Sequence, residues 1–199
     1  MKDPVFVPVE DDSRLVLYHF TSARSLPKIL TDGRLLPDPD DEHIVFLRER
    51  NWPSGPVLWL TSDSTPNRSH GLDDERMHCR FTVEVDAGQV ERWLDSDLRR
   101  QLGEARARQL EQAGGSDSWY ITARPILRSS WLAVETIKPI LGRPAVRRAV
   151  RESGVSVSVR VRWDDAAQAD VDERLRAVAE GTLTLGPGGW RRVQGGGDS

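Results

Sequence analysis

Sulfur is scarce in this chain: Cys79 is its only cysteine, and there are 2 methionines among 199 residues. A single thiol excludes an intrachain disulfide and a cysteine-rich zinc centre. Long apolar runs are missing as well, and none approaches the ~18 residues of a membrane-spanning helix. The opening Met1-Lys2-Asp3-Pro4 reaches Glu10-Asp11-Asp12 before any apolar stretch of signal-peptide length, so the expectation is a cytoplasmic protein with no membrane partner. A basic surplus is also lacking. The net charge of −3 argues against a whole-protein grip on nucleic acid and leaves room only for a local basic groove. Internal repeats are absent.

What is present reads as a folded chain on the polar side, 38% hydrophobic and 30% charged, long enough to bury a sizeable core. The predicted organisation is an entry arm at 1–13, a main domain at 14–140, a helix-strand-helix extension at 141–185 packed on the same domain, and a flexible tail at 186–199. Pro37 to Glu42 reads as an acidic, proline-broken loop, His43 to Leu47 as a short apolar insertion, and Gly71-Leu72 as a point that packs back. Cys79 to Val85 alternates, which predicts a half-buried strand with Cys79, Phe81, Val83 and Val85 on one face. From Gln89 to Gln112 the apolar spacing turns helical, with Asp95-Ser96-Asp97 as a capping signal and Gly103 as a break between two helices. Val155 to Trp163 predicts a strand with its valines inward and Ser/Arg outward. Thr182 to Leu185 reads as a returning strand. The arginines from Arg143 to Arg151 lie on a short predicted helix, as a solvated face or a phosphate contact.

Two strands end in polar groups. Leu15 to Tyr18 delivers His19, Phe20, Thr21 and Ser22 to a turn, and a short helix follows, with Ser22 or Ser25 as cap, Pro27 in the first turn and Gly33 as the stop. Val57 to Leu60 ends likewise in Thr61-Ser62; if the two strands are neighbours, Thr21 and Thr61 face a common cleft. On composition alone His19 is either a structural strand-end histidine or a ligand-binding group. His70, His78 and Cys79 lack metal-ligand spacing, and His78 and Cys79 are no nucleophile pair, because neighbours in a strand point to opposite faces; no metal is expected.

His19-Phe20-Thr21-Ser22 after an apolar strand, then Leu26-Pro27-Lys28-Ile29-Leu30 and Gly33, resembles the opening motif of the ADP-ribosyltransferase superfamily. More narrowly it is similar to the DNA-targeting ADP-ribosyltransferase toxins and their small bacterial relatives, with a weaker likeness to RNA 2′-phosphotransferases. The resemblance implies that His19 contacts the adenosine ribose of NAD and that Phe20 and Thr21 receive the nicotinamide amide through their backbone. Trp59-Leu60-Thr61-Ser62 is the segment that matches the family's second motif, without its usual tyrosine. Thr61 would line the pocket, and Trp59 is either the stacking partner or a core residue.

Trp119 to Thr122 and Trp131 to Ile137 read as two joined strands, with Trp131, Ala133, Glu135 and Ile137 on one face of the second. A carboxylate on an apolar face is costly unless it is used. The resemblance implies that Glu135 is the catalytic glutamate, bonded to the nicotinamide-ribose hydroxyl and steadying the cation that forms as nicotinamide leaves. The alternative is a salt bridge to an arginine such as Arg124 or Arg128, and Glu84 is the second choice of carboxylate.

These readings together predict an α+β fold of ADP-ribosyltransferase type, two small sheets forming a cleft with peripheral helices. The implied activity is NAD-dependent transfer of ADP-ribose to a macromolecular acceptor, DNA, RNA or protein, by a toxin or phage-defence type enzyme, with an antitoxin or inhibitor protein as a possible partner. NAD is substrate, not resident cofactor. The alternative is a catalytically inactive module of the same fold that binds a nucleotide, a nucleic acid or a partner protein.

Overall fold

The computed structural model describes residues 13–37, 56–66, 76–112 and 114–164, together with 168, 172–174, 176–177, 180, 183–186 and 189–192. The entry arm before Ser13, the acidic run at 38–42, the insertion at His43 to Leu47, the point at Gly71-Leu72, His70 and the tail beyond Arg192 lie outside the described residues.

In chain order the strands are β1 (Arg14–Thr21), β2 (Arg34–Leu35), β3 (Leu58–Thr61), β4 (Cys79–Asp86), β5 (Glu91–Arg92), β6 (Trp119–Thr122), β7 (Ile126–Leu127), β8 (Trp131–Ile137), β9 (Ser158–Arg160), β10 (Leu183–Gly186) and β11 (Gly189–Arg192). The helices are α1 (Leu26–Asp32), α2 (Asp97–Leu102), α3 (Glu104–Glu111), α4 (Lys138–Leu141) and α5 (Pro144–Ser153). This is the α+β class read from the sequence. The strands form one 7-stranded sheet in the order β5-β6-β3-β1-β4-β8-β9 and two 2-stranded sheets, β2 with β7 and β10 with β11. All described pairs are antiparallel except β8 with β9.

Period-2 alternation gives the large sheet two distinct faces. On one, Leu17, Phe81, Val83 and Val134 meet Leu26 and Leu30 of α1 and Val146 and Ala149 of α5, forming the main core. Phe81 is fully buried there, worth about 1.5–3 kcal/mol of transfer free energy. On the other face, at the β3 and β6 end, Trp59, Trp119 and Ile121 pack with Trp93 and with Leu98, Leu102 and Ala107 of α2 and α3, a second core. The predicted inward set of β4, Cys79, Phe81, Val83 and Val85, is buried as expected.

Local chemistry explains the helix ends. Gly33 closes α1 at φ 65°, a left-handed conformation that suits glycine, and its N–H bonds the Ile29 carbonyl at 2.9 Å. Ser96 caps α2, its Oγ accepting the Arg99 N–H at 3.1 Å and donating to the Trp93 carbonyl at 2.8 Å. Gly103, at φ 77°, separates α2 from α3.

Four expectations need correction. The helical pattern begins only at Asp97: Glu91-Arg92 pairs with β6, and Trp93 is drawn inward as a core residue from a single 3-10 turn. The segments at Trp119 and Trp131 are not joined neighbours, because β3, β1 and β4 lie between β6 and β8. Only Ser158–Arg160 of the predicted valine strand is strand, and Val159 and Val161 are 44% and 58% exposed. β9 is an edge strand in which Arg160 points to a buried carboxylate, and alternation then turns Val159 away from it. Gly189–Arg192, expected in a flexible tail, forms a hairpin with β10.

Candidate functional site

β1 is the middle strand of the sheet, and consecutive residues in it serve opposite faces. His19 pairs with Phe81 on the main-core face, its ring 6.5 Å from that of Phe81. Its Nδ1 lies 3.0 Å from the Trp59 carbonyl. A carbonyl only accepts, so this bond places the proton on Nδ1 and holds the ring against β3. β1 and β3 register at Tyr18 with Thr61. Thr21, 8% exposed, shares the His19 face, whereas Phe20 lies on the other, edge-on to Trp163 at 6.2 Å.

Glu135 pairs with Arg80 across β4 and β8. Arg80 Nε donates to Oε2 at 2.7 Å, and the Arg160 guanidinium donates to Oε1 at 2.8 Å. Both carboxylate oxygens are therefore engaged. The side chains of Arg80, Glu135 and Arg160 are 5%, 11% and 12% exposed. Arg80 also donates to the Ser64 carbonyl and lies against the rings of Tyr18 at 5.2 Å and Trp163 at 5.5 Å, so its charge is held by hydrogen bonds and by two aromatic faces. The arginines named as alternative partners are elsewhere: Arg128 donates to the Ser153 carbonyl at 2.7 Å, and Arg124 is exposed. A register shift between Thr82 and Val83 turns Trp131 onto the Phe81 face, so it does not share a face with Glu135 as the spacing predicts. Glu84 pairs with exposed Arg14.

Thr61 is 6% exposed and its hydroxyl is committed, 3.0 Å from the Ser118 hydroxyl and accepting the Asp63 N–H at 3.0 Å. Trp59 packs 5.0 Å from Trp93 and 5.7 Å from Trp119, as a core residue. The structure does make β1 and β3 neighbours. Because they run antiparallel, the tip of β3 at Thr61 lies level with Tyr18, about 10 Å along the strand from Thr21 and on the opposite face. The six residues singled out from sequence therefore fall into two sets: His19 and Thr21 on the helix-covered face, and Phe20, Trp59, Thr61 and Glu135 on the other.

Sequence reasoning missed Arg80 and Arg160 as the partners of Glu135, although each sits at an alternating strand position with the parity of a shared face. It also missed a cavity of about 340 Å³ beyond the end of β1, between Ser22 and Pro27, His78, and the start of α5 at Arg143 to Val146. Beside it Cys79 is buried, and burial pushes its thiol up to about 11, against nucleophilic use. Among the described residues no three His, Cys, Asp or Glu side chains are placed to hold a metal ion. Compared with protein-family models and with curated proteins, the chain matches none.

Proposed function

We propose that this chain is a nucleotide-binding module of ADP-ribosyltransferase type that takes up NAD or a related nucleotide without turning it over. The observation that sets this reading apart from an active transferase is the state of Glu135. Transfer of ADP-ribose needs a carboxylate free to take a ribose hydroxyl and to face the positive charge that develops as nicotinamide departs. Here both oxygens of Glu135 are taken by Arg80 and Arg160, and the residue lies across the sheet from His19. Two guanidinia beside that carboxylate would oppose a nearby cation, the reverse of what the reaction requires.

A second reading, the NAD-dependent transferase itself, draws support from one feature: the strands that carry the first two motif segments are neighbours, with His19 bonded across to Trp59. One assay separates the two. Purified protein is incubated with NAD alone and then with DNA, RNA and cell lysate, and free nicotinamide is measured beside calorimetric binding. Saturable binding with no nicotinamide above the solvent rate selects the module. Release of nicotinamide that Glu135→Gln abolishes, measured below the melting temperature of the variant, selects the transferase, and absence of both binding and release ends the NAD reading.

A further inference from the structure

The cavity beyond β1 brings together cationic groups from distant parts of the chain. Arg24, from the loop between β1 and α1, and Arg143, at the N-cap of α5, line it with His78, which precedes β4. Among the described residues no carboxylate lines the cavity. Some arginines pair with acid, Arg14 with Glu84, Arg80 and Arg160 with Glu135, Arg99 with Glu111, Arg108 with Glu104, while others, Arg128 and Arg147 among them, have no acidic partner among the described residues. Neither Arg24 nor Arg143 has a carboxylate partner among the described residues. Both arginines are exposed, so the repulsion between the like charges lining this hollow is screened by solvent. A bound anion removes what is left of it.

We propose that this cavity is a phosphoryl-binding site, in which Arg24 and Arg143 clamp the phosphate group of a small ligand and His78 supplies a further N–H. The planar guanidinium fork matches phosphate oxygens bidentately, and charge-assisted bonds of this kind are the strong ones. The first turn of α5, Ala145 and Val146, forms one wall and adds the positive end of a 10-residue helix to the same field. About 340 Å³ is at the small end of ligand sites, enough for a phosphate or diphosphate with part of a nucleotide. His78, Arg143, Ala145 and Val146 lie outside the His19, Thr61 and Glu135 segments, whereas Ser22, Arg24 and Pro27 lie within the stretch from His19 to Gly33; the diphosphate of NAD is one source of the phosphate and free phosphate another.

The test is calorimetric titration of the whole chain with inorganic phosphate, pyrophosphate, AMP and ADP-ribose. Saturable pyrophosphate binding is expected, weakened at least tenfold by Arg24→Ala with Arg143→Ala and less than twofold by Arg147→Ala with Arg151→Ala, two exposed arginines of α5 that do not line the cavity. ADP-ribose or AMP binding more tightly than pyrophosphate identifies a nucleotide as the source, and the reverse order identifies the free anion; both support the site. Should the double variant fail to fold, the imidazole resonances of His78 in the unaltered chain must move with pyrophosphate. No saturable binding by any of the four, an equal loss in both variants, or unmoved His78 resonances overturns the site. Pyrophosphate binding without NAD binding keeps this site and removes the NAD reading, whereas NAD binding untouched by the Arg24 and Arg143 pair does the opposite.

Discussion

Replacing Glu135 with Gln removes the negative charge between two guanidinia whose side chains are 5% and 12% exposed. The Gln carbonyl can still accept from one arginine, but its NH2 group turns N–H bonds toward the other, which loses its bond to residue 135 and its charge compensation there. Breaking one side of a buried ion pair costs about 3–5 kcal/mol, and the single retained acceptor brings the expectation to about 3 kcal/mol. In a domain of this length each kcal/mol moves the melting temperature by roughly 2–4 °C, so Glu135→Gln is expected to melt about 6–12 °C below the parent. Thermal melts followed by circular dichroism, with urea titrations showing a lower midpoint at unchanged slope, measure this. Removing the three charges together, Glu135→Leu with Arg80→Met and Arg160→Met, is expected to recover part of the loss. A Glu135→Gln protein melting within about 2 °C of the parent would refute the argument, because a carboxylate spared that cost is not engaged by both arginines.

Other predictions concern groups away from that cluster. The Cys79 thiol, raised from 9.0 to about 11, stays protonated as the unfolded chain ionises; its contribution is fully present below pH 9 and lost as pH rises toward 11, and at pH 8 its alkylation is expected to be about a hundredfold slower than in urea-unfolded chain. The hydrogen bond from Arg99, helped by the Trp93 N–H, holds the Glu111 carboxyl below its usual range, so its contribution is present above the ordinary glutamate value and fades as pH falls below it; Glu111→Gln should flatten the acid limb of a stability-against-pH curve. Ser96→Ala, which strips the α2 cap inside the second core, is expected to cost about 1–2 kcal/mol in urea titrations. Gly33→Ala meets open space but must hold φ 65°, and should cost about 1 kcal/mol by the same measurement.

Where one face of an element is buried and its partner local, the sequence was readable. The alternation of Cys79, Phe81, Val83 and Val85, the Gly33 stop and the cap signal before Asp97 each rest on a period or a φ value that a few residues encode. Pairing between distant strands was not readable. That Glu135 lies opposite Arg80, and that β9 brings in Arg160, depends on the sheet order and on the register shift at Thr82, neither of which local spacing contains. The same limit applies to the candidate site: the strand ends at Thr21 and Thr61 look alike as sequence, and only the antiparallel direction of β3 sends them to different places. Arg24, His78 and Arg143 share a cavity because α1 packs on α5, a contact between segments far apart in the chain.

The measurement that bears most directly on the proposed function is a titration of the unaltered chain with NAD, in which heat of binding and free nicotinamide are followed together. Saturation without nicotinamide release is the predicted result. Release of nicotinamide at a rate proportional to the protein present, or no saturation at all, would contradict it.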